Sequence, residues 1–196
     1  MRKLDFLIDV DGVLADFLKA FLAHANKVTG MDVQPDEIKQ WEILTAFPKD
    51  RHAEILVEAG RPGFCHELEP MPGSVDGIKN LREVGNVYAL TSPWSSVTWV
   101  HERNQWLKSF YGINWRDVMH VPSEHKFRIR GDMLLDDKLE TVVQWSEMNP
   151  RGQGLLWDAP YNRMPEGTAW HTRVTNWDAV QQVALHLTQA RNITQT

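Results

Sequence analysis

The chain predicts an α/β fold, a doubly wound parallel sheet (Rossmann-like) with a small helical segment inserted into it. Three observations predict it. Short apolar runs alternate with helical periodicities along most of the 196 residues, a pattern that favours a parallel sheet flanked by helices. Acidic or hydroxyl pairs follow several of these runs directly, as ligand-binding residues do at the carboxyl edge of such a sheet. Residues 31 to 70 break the alternation.

Leu4-Asp5-Phe6-Leu7-Ile8 reads as a buried strand over residues 4 to 9, ending in Asp9-Val10-Asp11-Gly12-Val13. Leu14, Phe17, Leu18, Phe21, Leu22, Ala25 and Val28 then recur at amphipathic-helix spacing, and Gly30 is a fitting stop. A helix is therefore expected to begin a few residues past Asp11, with free N–H groups near the strand end that would favour an anion.

Pro35, Trp41, Phe47-Pro48, a short helix over 49 to 59 and Gly60-Arg61-Pro62-Gly63-Phe64 read as a helical cap over 31–70. About forty residues make a poor core alone, so the division expected is an α/β core of 1–30 and 71–196 carrying this insert. Ser74 is a good N-cap for a helix using Val75, Ile78 and Leu81, with Gly85 at its end. Val87-Tyr88-Ala89-Leu90 is the second strand, closed by Thr91-Ser92-Pro93-Trp94.

A helix over about 96 to 110 stops at Gly112. A short strand at Val118-Met119-His120-Val121 leads to His125-Lys126, then Met133-Leu134-Leu135 and a second acidic pair, Asp136-Asp137. The helix from Lys138 ends before Pro150 and Gly152. Gly154-Leu155-Leu156-Trp157 is a further strand, followed by the loop Pro160-Tyr161-Asn162-Arg163. A last strand at 170 to 174 precedes a helix capped by Asn176.

Composition narrows the partners. A net charge of −5 argues against a nucleic-acid polymer but not against a small phosphorylated substrate. The single Cys65 excludes an intrachain disulfide and favours a reducing compartment. No apolar run approaches the roughly 20 residues of a membrane span, and Met1-Arg2-Lys3 runs straight into a strand. A cytoplasmic protein is expected, and a homodimer is compatible with the sequence.

In a parallel sheet Asp9, Asp11, Thr91, Ser92, Lys126, Asp136 and Asp137 all converge on the carboxyl edge. Oxygen-only acids in that number suit Mg²⁺, which keeps waters and a substrate phosphate among its ligands. Hydroxyls and an ammonium beside it would hold the other phosphate oxygens. The reaction that fits is phosphoryl transfer to a carboxylate: Asp9 attacks phosphorus, and Asp11 protonates the leaving alkoxide and then deprotonates the hydrolytic water.

Other readings leave gaps. Asp-x-Asp-Gly also occurs in turns and calcium loops, but Ala20 stands where an EF-hand needs Glu. Gln105 replaces the second His of a zincin helix after His101-Glu102, and there is no G-x-S-x-G elbow or G-x-x-x-x-G-K-[ST] loop. Taken alone, Asp136-Asp137 or Thr91-Ser92 could simply cap helices, and Lys126 could be a solvated lysine with Arg128 as its rival.

The ordered set Asp-x-Asp-Gly-Val, Thr-Ser after a strand, Lys, then Asp-Asp ten residues on resembles the four motifs of haloacid dehalogenase-like phosphatases. Within these, Asp9-Val10-Asp11-Gly12-Val13-Leu14-Ala15-Asp16-Phe17, Leu68-Glu69-Pro70-Met71-Pro72-Gly73, Leu90-Thr91-Ser92-Pro93 and Leu134-Leu135-Asp136-Asp137 are similar to the 5′(3′)-deoxyribonucleotidases.

The resemblance implies a Mg²⁺-dependent phosphatase of deoxyribonucleoside monophosphates. It implies Asp9 as nucleophile and metal ligand, and Asp11 as acid/base with its carbonyl on the metal. Thr91, Ser92 and Lys126 would hold phosphate. Asp136 or Asp137 would complete the metal site, with Asp137 favoured and Asp136 orienting Lys126 or a water. It also implies an aromatic base pocket under the cap, matched by Phe17 in its motif, by Trp41 and Phe64 by region, and by Trp94 through adjacency to Thr91-Ser92. The Pro160–Arg163 loop resembles prokaryotic and viral relatives. Another small phosphomonoester, such as a sugar phosphate, is the rival substrate, and a non-catalytic phospho-ligand-binding protein is the rival class.

Overall fold

The side chains of the first strand alternate between two apolar layers, and this alternation sets the whole architecture. Phe6 and Ile8 point into one layer and Leu7 into the other. The computed structural model describes residues 2–163 and 172–193. Among them, β1 (Leu4–Ile8), β2 (Gly85–Thr91), β3 (Val118–His120), β4 (Met133–Asp136), β5 (Gln153–Trp157) and β6 (Thr172–Val174) form one parallel sheet in the order β3-β2-β1-β4-β5-β6. Residues 170 and 171 of the expected last strand lie outside the described residues.

The larger layer packs α1 (Phe17–Thr29), α3 (Ser74–Val84), α4 (Trp99–Tyr111) and α6 (Trp177–Ile193) against Phe6, Ile8, Val87, Ala89, Met133 and Leu135. The smaller layer sets Trp145 of α5 (Leu139–Met148) against Leu7, Leu90 and Leu134, with Phe127 and Ile129 beside them. Both faces of the sheet are therefore covered, as a parallel sheet requires. The strand order reverses between β1 and β4, which makes their carboxyl ends the topological switch point where ligands bind in such folds.

Residues 31–70 hold 3₁₀ turns and one helix, α2 (His52–Ala59). Ile38, Phe47, Ile55, Ala59, Phe64 and Leu68 of this segment are buried in the same apolar cluster as Phe6 and Ile8. It is also pinned to α1: the Asn26 amide exchanges two hydrogen bonds with the Val33 backbone, at 2.9 and 3.0 Å.

Three local expectations are corrected. The first helix begins at Phe17, because Val10 to Ala15 fold into a tight loop in which the Leu14 and Ala15 N–H groups both donate to Val10 O at 2.8 Å. Leu14 is buried by that loop, not by a helix. Asp16 then caps α1 by accepting from Lys19 N, so an acid occupies the end expected to be open to an anion.

Ser74 does not cap α3. Gly73 takes that place, and the Ser74 hydroxyl is buried between Met71 O (2.6 Å) and the Tyr111 hydroxyl (2.7 Å). The helix after Trp94 starts at Trp99, not near Ser96, since a turn in which Ser96 N donates to Trp94 O occupies the intervening residues.

Candidate active site

The register of the sheet brings the acids together. Ile8 pairs with Leu135, so Asp9 and Asp136 end adjacent strands at one level, and Asp9 N donates to Leu135 O at 2.9 Å. By strand alternation both carboxyls share the side of Leu7 and Leu134. That is the side on which the 3₁₀ segment Ser123–Arg128 crosses from β3 to β4 and delivers Lys126. Lys126 Nζ lies 2.7 Å from Asp9 Oδ1 and 3.0 Å from Asp136 Oδ2, and all three side chains are buried. Asp136 Oδ1 accepts from Lys138 N at 2.8 Å, so both its oxygens are engaged.

Asp137 is held from the opposite side. Its backbone carbonyl accepts from Asn162 Nδ2 at 2.7 Å, and its Oδ2 accepts from the Tyr161 hydroxyl. Its Oδ1 is buried with no hydrogen-bond partner among the described residues. One oxygen from each of Asp9, Asp136 and Asp137 falls within 4.8 Å of the others. Gly12 makes this packing feasible: its φ of +80° suits glycine, and a Cβ there would overlap Asp137 Oδ2.

Burial disfavours charge here. It raises the Asp9 carboxyl well above its usual range, with Asp136 adding to the effect and Lys126 opposing it. Burial likewise raises Asp137, again helped by Asp136 and opposed by the Tyr161 hydrogen bond. For Lys126, burial works to lower the pKa, but the charges of Asp136 and Asp9 more than offset it and the ammonium is stabilised.

Fully ionised, three carboxylates against one ammonium would leave two negative charges in a buried space. A divalent cation with oxygen preference balances that deficit, and the orphaned Asp137 Oδ1 offers it a ligand, so the residues fit Mg²⁺. Thr91 Oγ1 and Ser92 Oγ, at the end of β2, are also buried without partners among the described residues. They are hydrogen-bond donors with no acceptor among the described residues, on the strand next to β1: a fitting cradle for an oxyanion.

The cleft above these groups encloses about 290 Å³. Its floor includes Asp9, Asp11, Ser92, Lys126, Asp136 and Asp137, and its walls include Phe17, Phe21, Trp94 and, from the insert, Trp41, Glu42 and Leu44. Thr91 does not line it directly. Trp94 meets Phe17 at 5.9 Å and stacks on Trp99 at 5.7 Å. Trp41, 43% exposed, stands edge-on to Tyr161, with Lys138 Nζ 5.2 Å from its ring.

Phe64 departs from expectation. It is fully buried behind the cleft, stacked on Trp99 at 5.9 Å, and does not line the cleft. An aromatic ring in the core is the commoner outcome.

Sequence reasoning passed over Arg103, which is fully buried with Nη2 2.6 Å from Asp11 Oδ1. The available signal was a charged residue on the apolar stripe Trp99, Trp106, Leu107 of its helix, where charge is rare unless paired. Tyr161 sat in a loop noted without a role, and Lys138 and Ser123, 3.2 Å apart at the cleft, carried no motif.

A family model described as 5′-nucleotidase, deoxy (pyrimidine), cytosolic type C protein matches residues 2–192. A Bordetella pertussis protein provisionally named a 5′(3′)-deoxyribonucleotidase is 32% identical over 166 residues, 80% of this chain and 84% of that one. The human cytosolic-type 5′(3′)-deoxyribonucleotidase is 27% identical over 187 residues, 90% of each chain. Among solved structures, a Bacillus subtilis protein provisionally named a haloacid dehalogenase (HAD) hydrolase, bound to magnesium, superposes with a TM-score of 0.59. The match covers 94% of this chain and 99% of that one at 16% identity, and speaks to the fold alone. The chain belongs to the 5′-nucleotidase, deoxy (pyrimidine), cytosolic type C family, and is a phosphomonoester hydrolase on a haloacid dehalogenase-like fold.

Proposed function

We propose that the protein is a Mg²⁺-dependent 5′(3′)-deoxyribonucleotidase working through an aspartyl-phosphate on Asp9, in the cytoplasm. The observation that carries this reading is the buried set Asp9, Asp136, Asp137 and Lys126, which when fully ionised is two charges short of neutrality, together with the two orphaned hydroxyls of Thr91 and Ser92. The human cytosolic-type relative supports the location and the substrate class.

Asp9, Asp137 and the carbonyl of Asp11 would hold Mg²⁺, which when bound neutralises charge on the phosphoryl oxygens. Asp136, with both oxygens engaged, orients Lys126 and leaves ligation to Asp137. Lys126, Ser92 and Thr91 donate to the phosphate. Lys126 and Val10 N (2.6 Å) both hold Asp9 Oδ1, which leaves Oδ2 as the attacking oxygen.

Attack forms the Asp9–phosphorus bond and breaks the bond to the ester oxygen, which takes a proton from Asp11. Asp11 then removes a proton from water, whose oxygen displaces Asp9 and releases inorganic phosphate. Residues 31–70 act as a cap on the core of 1–30 and 71–196. Phe17, Trp94 and Trp41 offer the nucleoside apolar faces, as base stacking requires.

The test is phosphate release by the purified protein with Mg²⁺ from deoxyribonucleotides, ribonucleotides and sugar phosphates. Deoxyribonucleotides are expected to turn over fastest, and Asp9→Asn is expected to abolish turnover. Equal rates across the panel would remove the nucleotide assignment in favour of a broader phosphomonoesterase. Full activity in Asp9→Asn would remove the covalent mechanism.

A further inference from the structure

Arg103 is a fully buried guanidinium whose only hydrogen bond among the described residues runs from Nη2 to Asp11 Oδ1, at 2.6 Å. Burying such a charge is costly unless it is paired and its surroundings are fixed. Both conditions are met here. The guanidinium carbon lies 5.0 Å from the ring centre of Trp99 and 5.7 Å from that of Trp106, so two indoles present their electron-rich faces to it.

Those indoles are themselves anchored. Trp99 stacks on Phe64 and Trp94, and Trp106 Nε1 donates to Leu68 O at 2.8 Å. The guanidinium is therefore a fixed point, and its one directional bond is spent on one oxygen of one carboxylate.

Asp11 needs such a fixed point. It sits on the loop that turns at Gly12, and its side chain is 27% exposed to the cleft. A carboxylate there would otherwise rotate and solvate, and either oxygen would meet the substrate. A proton-transfer group works only when its reacting atom is held within hydrogen-bond reach of the leaving oxygen.

We propose that Arg103 is the positioning residue for Asp11: it pins Oδ1, so that Oδ2 alone faces the leaving group and carries the proton. The inference rests on the reading of Asp11 as the acid/base group. The same aromatic stack that backs Arg103 ends at Trp94 on the cleft wall, so the leaving group's surroundings and the acid's orientation share one rigid support.

The experiment compares two substrates, a deoxyribonucleoside 5′-monophosphate, whose alkoxide needs a proton to leave, and p-nitrophenyl phosphate, whose phenolate does not. Arg103→Met is expected to lower kcat/KM on the nucleotide by about 10²-fold, in the range of general-acid contributions. On p-nitrophenyl phosphate, kcat/KM and the rate of the first-turnover burst of p-nitrophenolate should stay within about threefold, because phenolate leaves without a proton. The later attack of water on the aspartyl-phosphate needs Asp11 for either substrate, so steady-state kcat falls on both. Added guanidinium chloride should restore part of the nucleotide rate. Arg103→Lys, which keeps the charge and supports folding should the Met variant not fold, should show the same leaving-group selectivity at smaller amplitude.

Combined with Asp11→Asn, either Arg103 substitution should add no further loss. Equal losses of kcat/KM on both substrates, or losses that add to those of Asp11→Asn, would overturn the inference and mark Arg103 as a structural residue. Unchanged nucleotide turnover in Asp11→Asn would overturn the acid/base reading itself, and the inference with it.

Discussion

The ammonium of Lys126 stands 2.7 Å from Asp9 Oδ1 and at the same time 3.0 Å from Asp136 Oδ2, and all three side chains are buried. Removing one member of a buried ion network leaves the others uncompensated. Lys126→Met is therefore expected to destabilise the fold by about 3 kcal/mol near neutral pH, besides abolishing turnover. The sign with pH follows from the Asp9 carboxyl, which burial and Asp136 hold above the usual range even with the ammonium present. Without it the carboxyl takes a proton more readily still, so mild acid should relieve part of the loss. Urea unfolding of both proteins at about pH 5 and about pH 8 checks this, since stability tracks the difference in bound protons. A loss of the same size at both values would mean that packing, not charge, is what Lys126 supplies.

Gly12 joins backbone conformation to the acidic cluster. Its φ of +80° strains any other residue, and a methyl group there would overlap Asp137 Oδ2 and press on Tyr161. Gly12→Ala is expected to cost about 1–3 kcal/mol in stability, the range for overpacking together with a left-handed backbone. It should also weaken Mg²⁺ binding, because Asp137 is the side chain that must move. Isothermal titration with Mg²⁺ separates the two effects. A variant that is less stable but binds Mg²⁺ normally would show that Asp137 is not displaced.

The acidic motifs were legible in the sequence because strand ends were legible: Leu4–Ile8 and Met133–Leu135 are apolar runs, and whatever follows them lands at the carboxyl edge. The helix start was misread for a physical reason. Leu14 fits the helical spacing but is buried by a tight loop, which periodicity cannot distinguish. The rings could not be sorted either. Phe64 and Trp94 belong to one aromatic stack through Trp99, and only the tertiary packing places Trp94 on the cleft and Phe64 behind it. Arg103 and Tyr161 act through partners 92 and 24 residues away, separations at which no local pattern connects them.

The carboxyls of Asp9 and Asp137 are raised in the fold, first by burial and then by the charge of Asp136. As pH rises from the ordinary carboxylate range, the unfolded chain releases these protons before the folded one does. The metal-free fold therefore loses stability until the folded carboxyls ionise in turn. Mg²⁺ takes only the ionised ligands. Its stabilising effect should consequently grow with pH, reaching about 2.7 kcal/mol when its concentration is a hundred times Kd. Thermal unfolding in Mg²⁺ and in a chelator, near pH 5.5 and near pH 8, measures the difference. A midpoint shift that does not depend on pH would place the cation away from these two carboxyls.

Tyr161 touches both the acidic cluster and the insert: its hydroxyl donates to Asp137 Oδ2, and its ring meets Trp41 edge-on at 5.5 Å. Burial and the neighbouring Asp137 charge hold the phenol well above its ordinary pKa, so it remains a donor throughout the neutral range. Asn162 fixes the loop that carries it, through Asp137 O and Trp157 O, each at 2.7 Å. The hydroxyl thus leaves Asp137 one unengaged oxygen, Oδ1, for the cation. Tyr161→Phe keeps the ring against Trp41 and removes only that donor. Mg²⁺ affinity should fall by about 10-fold, the lower end for losing a hydrogen bond that orients a ligand, while KM for the nucleotide at saturating Mg²⁺ stays near the parent value. Tyr161→Ala removes the ring as well and should raise KM too, because Trp41 loses its support. If Tyr161→Phe raised KM as much as Tyr161→Ala while leaving Mg²⁺ affinity untouched, the hydroxyl would serve the substrate and not Asp137.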